Sequence, residues 1–215
     1  MLLDEVAASD GAGALNDGTL GAAALRRLSP ARARNLLRHF LASRGVTMPS
    51  AARLEEALRQ AIAARQDARL AIDLGAHELR QFEGRLHVLP RTTASLSGDI
   101  RHWRGERKLP FPELGGALVM TPSVGTGLSL ACLRGGPVTV RPRRGGERLR
   151  PDRRRPRRTL KNLMQEARVP PWERERLPLV FCGDDLVWAP AIGVDCAYQA
   201  EPGELSVSPS WLPIA

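Results

Sequence analysis

The chain has almost no aromatic residues, almost no lysine, and no cysteines placed to work together. Phe, Trp and Tyr make up 4% of its 215 residues, too few for a single-strand reader built on stacking platforms. Cys132, Cys182 and Cys196 are odd in number and widely spaced. No CxxC pair and no Cys/His set has zinc spacing, so they read as reduced, mostly buried thiols of a cytoplasmic protein. His39, His77, His87 and His102 have no partner at ligand spacing either, and no metal or cofactor site is expected in this chain. No apolar run approaches the length of a membrane span. The opening MLLDEVAASD has neither the basic start nor the apolar core of a secretory signal, so no membrane partner is expected.

What the chain does have is arginine. Of its 32 basic residues only Lys108 and Lys161 are lysines. Arg141 to Arg158 holds ten arginines against Glu147 and Asp152, a net charge of +8 in a chain whose total is +9. The remainder is close to neutral, so the molecule has a pole, and a polyanion is its natural partner. Guanidinium is also the better fork for phosphate oxygens. A coding sequence rich in G and C produces the same arginine and alanine bias, so composition alone decides nothing.

Apolar content of 43% is ordinary for a globular chain, and the length suits one or two domains. Residues 1–28 show a short amphipathic piece (Leu2, Leu3, Val6), a turn at Asn16-Asp17-Gly18 and a short helix at Ala22 to Leu28. This opening looks thin, as though its apolar residues had a partner elsewhere. In LSPARARNLLRHFLASRG, Ser29 is an N-cap, Pro30 a first helical residue and Gly45 a C-terminal stop. Ala33, Leu36, Leu37, Phe40 and Leu41 make its buried stripe, leaving Arg32, Arg34 and Arg38 on the polar side, read as a solvated face with a secondary RNA-facing surface as the alternative. Pro49-Ser50 opens a second helix with Leu54, Ala57, Leu58, Ala61 and Ile62 at helical spacing. From Ala68 to Pro90 the period becomes two, giving a small antiparallel meander with turns at Gly75-Ala76 and Glu83-Gly84.

Residues 91–136 are rich in Gly, Pro, Ser and Thr, with weak strand signals near Ala117–Met120 and Leu128–Leu133. Gly115-Gly116 and Gly125-Thr126-Gly127 lack phosphate-loop spacing and read as turns. A domain boundary is expected between Ser95 and Glu113. Val138-Thr139-Val140 then runs into the arginine stretch, where Gly145-Gly146 forces a turn. Thr159 caps the helix LKNLMQEA, with Leu160, Leu163, Met164 and Ala167 inward and Lys161 on the other side near the positively polarised end. Leu179–Phe181 and Leu186–Trp188 read as a hairpin around Gly183-Asp184-Asp185, and the residues after Cys196 as an edge strand and tail, with Leu205, Val207 and Trp211 returning to the core. Arg174 and Arg176 are expected in salt bridges with Glu173, Glu175 or Glu166.

The succession GGERL, TLKNLMQEARVPPWERERLPLVF and DDLVWAPAIGVD, through Val138 to Val194, resembles the C-terminal domain of bacterial tRNA(Ile)-lysidine synthetases. LSPARARNLLRHFLASRG and SAARLEEALRQ resemble the helical substrate-binding domain of the same enzymes. The resemblance implies an α+β chain in three parts. Residues 1–95 would form a helical substrate-binding domain, a helix hairpin with the β meander. Residues 96–136 would be linker and weak strands. Residues 137–215 would form a compact tRNA-binding domain with two short helices on a small, mostly antiparallel sheet. The family is an ATP-dependent carbon–nitrogen ligase that joins lysine to the wobble cytidine of an isoleucine tRNA. Its ATP, with magnesium, belongs to an N-terminal PP-loop domain marked by an SGGxDS-type loop. The nearest fragment here, Ser97-Gly98-Asp99, lacks the second glycine and the final serine. The expectation is a chain that begins near the junction with that catalytic domain, which would be supplied in cis or in trans.

The tRNA partner, in this reading tRNA(Ile), would be met by Arg141, Arg143, Arg144, Arg148, Arg150, Arg153, Arg154, Arg155, Arg157, Arg158 and Lys161, with no catalytic residue among them. The alternative is a stand-alone basic module for nucleic acid in general or for an acidic protein. Homodimerisation stays open. An independent enzyme would need a base or nucleophile with an orienting partner, and Asp184, Asp185 and Asp195 supply no such set. Purified chain given tRNA, lysine and ATP is therefore expected to show no ATP–pyrophosphate exchange above blank. Exchange above blank overturns the placing of the chemistry elsewhere.

Overall fold

Alternating helix stops and period-two runs produce both kinds of element in the computed structural model, which describes residues 2–65, 70–91 and 100–213. The chain divides into two units, Met1–Thr93 and Ala94–Ala215. The first begins with α1 (Leu2–Gly11), β1 (Leu15–Asn16) and β2 (Thr19–Gly21). Asp17 and Gly18 have φ of 47° and 68°, the paired positive values that a two-residue hairpin turn demands. There follow α2 (Ala22–Arg27), α3 (Pro30–Ser43) and α4 (Ala51–Ala63), then β3 (Ala71–Asp73), β4 (His77–Phe82) and β5 (Arg85–Pro90). Ser29, extended, precedes Pro30 at the first turn of α3, and Gly45 stops it at φ 72°. The Ser50 hydroxyl caps α4 by accepting from the Arg53 N–H at 3.4 Å.

The five strands form one antiparallel sheet in the order β1-β2-β5-β4-β3. The opening residues thus find their partner inside this unit: Leu20 lies opposite Leu86, both fully buried. Leu2 and Leu3 stay exposed. The expected stripe of α3 is buried, Ala33 through Leu41, and packs with Leu54, Leu58, Leu79 and Leu86. Arg32 and Arg38 pair with Asp10 and Asp4 of α1, and Arg34 pairs with Glu55 of α4. Exposed pairs of this kind contribute only about 0–1 kcal/mol each, so the apolar stripe holds the unit. The meander's expected start at Ala68 and the fragment Ser97-Gly98-Asp99 lie outside the described residues.

The described residues of the second unit form two larger sheets and a two-stranded ladder of Arg148–Leu149 with Arg158–Thr159. Its elements are β6 (Arg101–His102), β7 (Lys108–Phe111), β8 (Gly116–Val124), β9 (Leu128–Ser129), α5 (Leu130–Leu133) and β10 (Val138–Pro142). After these come β11 (Arg148–Leu149), β12 (Arg158–Thr159), α6 (Leu160–Glu166), α7 (Pro171–Arg174), β13 (Pro178–Cys182), β14 (Asp185–Ala189), β15 (Gly193–Val194) and β16 (Leu205–Pro213). One sheet runs β15-β14-β13-β10-β6 and the other β7-β8-β16-β9. All five residues of β13 are buried, because the sheet is covered on both faces. Val138, Val140, Val180 and Cys182 meet Leu109, Phe111, Leu118 and Val207 of the second sheet. Leu179, Phe181 and Leu186 meet Leu160 and Met164 of α6 with Leu149.

Residues 108–129, expected as linker and weak strands, therefore belong to a sheet of this unit. The C-terminal residues form a strand, as expected: β16 pairs along its whole length with β8, from Leu205 opposite Val124 to Pro213 opposite Gly116, and beyond Val207 its other side is a sheet edge. Pro209 and Pro213 lie in this strand, and proline has no N–H to give a ladder. The structure accommodates them because β9 covers only Ser206 and Val207, leaving that side of Pro209 and Pro213 unpaired.

Gly116 sets that register. A Cβ there would collide with the Trp211 indole and stand 2.7 Å from the Leu212 carbonyl oxygen. Gly116→Ala is therefore expected to lower the stability of the second unit by about 1–3 kcal/mol, read as a lower urea midpoint. An unchanged midpoint would show that β16 does not lie against β8 in this register.

Candidate nucleic-acid interface

The arginine stretch is fastened at both ends by apolar residues. Upstream, β10 pairs with β13, and this ladder lays the Arg141 guanidinium 3.8 Å above the Phe181 ring centroid, within cation–π range. Gly145 and Gly146 then turn the chain at φ 98° and 84°, a conformation open to glycine at little cost. Glu147 reaches back into that turn. Its carboxylate accepts from the N–H of Arg144 at 2.6 Å and of Gly145 at 2.9 Å, with Arg143 at 3.4 Å. Burial works to raise the Glu147 pKa, but those N–H donors and the Arg143 charge outweigh it, and the net shift is downward. Downstream, buried Leu149 anchors β11, which pairs with β12 and closes a loop over residues 150–157. Thr159 Oγ1 accepts from the Asn162 N–H at 3.4 Å and starts α6, as its sequence position suggests.

The expected ligand-binding side chains fall into two groups. Most already have a partner. Arg143 faces Glu147; Arg153 pairs with Glu201 at 2.9 Å, Arg155 with Asp152 at 3.7 Å and Arg157 with Asp185 at 3.3 Å. Arg158 Nη1 donates to Glu166 at 2.7 Å. Arg148 donates to the Arg157 carbonyl at 3.1 Å. Arg150 is tied twice, by its N–H to Asp195 at 2.8 Å and by Nε to Cys196 Sγ at 2.9 Å. The side chains of Arg144, Arg154 and Lys161 are exposed and have no ion pair or hydrogen bond among the described residues.

Arg141, Arg144, Arg148 and Arg157 come together around one cleft of about 480 Å³, completed by the Gly145-Gly146 turn, Phe181 and the Asp184-Asp185 hairpin. Arg143, Arg150, Arg153, Arg154, Arg155, Arg158 and Lys161 lie outside it. Sequence reasoning missed Phe181 and Asp184 as cleft walls. The usable signal was the strand alternation, which puts Phe181 on the face opposite Val180 and beside Arg141. Asp185 is committed twice, since its other oxygen accepts from the Tyr198 hydroxyl at 3.2 Å. Burial and then the Asp185 charge push the Tyr198 pKa up to about 12. Glu166, an expected partner of Arg174 or Arg176, is held by Arg158, while Arg174 Nε donates to the Val169 carbonyl at 2.7 Å.

Comparison with known proteins matches both units. A family model described as the TilS substrate binding domain matches residues 20–87, from β2 into β5. One described as the TilS substrate C-terminal domain matches residues 138–211, from the first residue of β10 into β16. The tRNA(Ile)-lysidine synthase of Nitrosomonas europaea is 41% identical over 212 residues, which is 99% of this chain and 46% of that protein. The chain belongs to the tRNA(Ile)-lysidine synthase family. The tRNA(Ile)-lysidine synthase of Coxiella burnetii is 34% identical over 187 residues, covering 87% of this chain and 41% of its own length. The chain thus spans less than half the length of these curated relatives. A solved structure described as the crystal structure of the TILS C-terminal domain aligns with a TM-score of 0.46 and 21% identity, over 55% of this chain and 99% of that one. Within the tRNA(Ile)-lysidine synthase frame, β6 to β9 lie between the two matched segments. Among the described residues no helix is long and apolar enough to cross a membrane.

A carboxylate whose pKa is lowered on folding stabilises the fold above its unfolded pKa, and that contribution is lost as pH falls through the folded value. The stability difference between wild type and Glu147→Gln is therefore expected to be constant above about pH 5 and to shrink below about pH 4. Urea titrations at stepped pH check it. A difference that stays flat down to the acid limit would show that the glycine turn does not depend on the Glu147 charge.

Proposed function

We propose that the second unit binds the phosphate backbone of a tRNA, and that tRNA(Ile) is the tRNA bound. The observation that carries this reading is the gathering of Arg141, Arg144, Arg148 and Arg157 around one cleft, with Arg154 and Lys161 uncommitted beside it in sequence. Within the eleven basic residues of the stretch, those without carboxylate partners are the ones that gain most from a phosphate. The ion-paired ones, Arg143, Arg153, Arg155, Arg157 and Arg158, hold the loop in shape and meet the ligand second. Phosphate contacts position a nucleic acid without reading its sequence, and stem RNA is recognised chiefly by shape, phosphates and 2′-hydroxyls.

The family name of the relatives supports the larger setting. In the whole protein these units would present tRNA to a PP-loop domain, in cis or in trans, that uses ATP with magnesium to join lysine to the wobble cytidine. These units would bind and orient the tRNA, and the bond-making would belong to that other domain. The second reading is a general basic module, favoured by the same charge pole. It requires duplex DNA to compete for the site as well as tRNA does.

Each phosphate contact contributes roughly 0.7–0.9 to the slope of log K against log salt. Joint replacement of Arg144, Arg154 and Lys161 by Gln is expected to lower that slope by about 2–3, whereas Arg153→Gln with Arg155→Gln lowers it by less than about 1. Filter binding of a tRNA(Ile) transcript over a sodium chloride series reads both. An unchanged slope in the triple variant sinks the assignment.

A further inference from the structure

The cleft is not built as a simple phosphate cup, because carboxylates stand among its arginines. Its volume of about 480 Å³ falls within the roughly 300–1,000 Å³ of small-molecule sites. Arg141 is half-buried, with one side laid on Phe181, so its other side is what a flat ligand meets. Gly145 and Gly146 have nothing within 4 Å of where a Cβ would stand, so a ligand can approach their backbone closely. Of the two hairpin carboxylates, Asp185 is spent on Arg157 and Tyr198. Asp184 has no ion pair or hydrogen bond among the described residues, yet it lines the cleft.

A bare phosphate gains little from a site that also presents a free carboxylate. A nucleotide satisfies every wall at once, with a plane for the guanidinium, N–H donors for the carboxylate and a phosphate for the outer arginines. Unstacked RNA bases are bound in this way, on arginine planes and through their Watson–Crick edges. Guanine is the base whose Watson–Crick edge offers two adjacent N–H donors, which matches the two oxygens of one carboxylate. We infer that the cleft holds a single unpaired guanine nucleotide, its base stacked on Arg141, its N1–H and amino group donating to Asp184, and its phosphate met by Arg144 and Arg148. The inference rests on the reading of this unit as an RNA binder and adds base readout to backbone contact.

The test is a titration of the whole chain with GMP, CMP, UMP and inorganic phosphate, followed by amide NMR. GMP is expected to shift the Gly145 and Gly146 amides and to bind roughly tenfold tighter than UMP, the discrimination typical of a bidentate base contact. Asp184→Asn, at an exposed position, should abolish the preference for GMP over UMP without weakening phosphate binding, which the lost negative charge can only favour. Arg141→Gln should weaken all three nucleotides together and spare phosphate. Equal binding of GMP and inorganic phosphate, or a guanine preference that survives Asp184→Asn, overturns the inference. Failure here is distinguishable from failure of the RNA reading. A chain that holds tRNA through Arg144, Arg154 and Lys161 but shows no GMP preference loses only the base pocket. A chain that prefers GMP but whose tRNA salt slope ignores those three residues loses only the backbone assignment.

Discussion

The second unit depends on a strand with no solvent-facing side. Because β13 is buried along its length, its residues must be apolar on both faces, and Pro-Leu-Val-Phe-Cys meets that demand. The ladder to β10 is then the point from which everything charged is hung. Val138 and Val140 face one core, and Arg141, the next residue in the alternation, falls on the other face over Phe181. A cation placed there is tolerable because its plane lies on an aromatic ring and its far side reaches the cleft. The arginine stretch is therefore positioned by hydrophobic burial: Leu149, Leu160 and Met164 fix its exit as firmly as β10 fixes its entry.

A segment with a net charge of +8 would repel itself if left alone. Two devices reduce that cost. Glu147 is drawn into the turn at Gly145-Gly146, where backbone N–H groups and Arg143 hold it ionised against its burial. Carboxylates from elsewhere in the unit, Glu166, Asp185 and Glu201, each take one arginine of the loop. The first unit uses the same solution on α3, where Asp4, Asp10 and Glu55 answer three arginines. A chain with few lysines can do this well, since the planar guanidinium fork pairs with carboxylates in defined geometry.

Much of the architecture was legible. The caps at Ser50 and Thr159, the stop at Gly45 and the turns at Asp17-Gly18 and Glu83-Gly84 are local signals, and local signals survive folding; Ser29 takes the N-cap position without a side-chain hydrogen bond. Long-range pairing was not legible. Nothing in residues 116–124 announces a partner at 205–213, because short runs interrupted by proline carry no periodicity that says which strand pairs with which. The cleft was half legible for the same reason: its arginines advertise themselves by density, while Phe181 and Asp184 enter only through the register of β10 on β13. The charge partners Glu166 and Glu201 were invisible as partners, since which acid meets which arginine is a tertiary fact.

The pairing pattern also limits what the loop can contribute to binding. A phosphate that takes Arg153 or Arg157 from its carboxylate gains one charge-assisted contact and loses another, and it leaves the displaced Glu201 or Asp185 close by as a like charge. Exposed pairs are individually weak, so the exchange is nearly balanced and the net gain small. An uncommitted cation surrenders little more than water, and the cations it displaces from the nucleic acid's phosphates drive the salt-dependent part of binding. On the proposed reading, affinity for a phosphate backbone would be concentrated in the few side chains without acids, and the paired majority would determine where those few point. The charge count of the stretch therefore overstates its affinity for a polyanion, and the arrangement of its acids decides which of its arginines count.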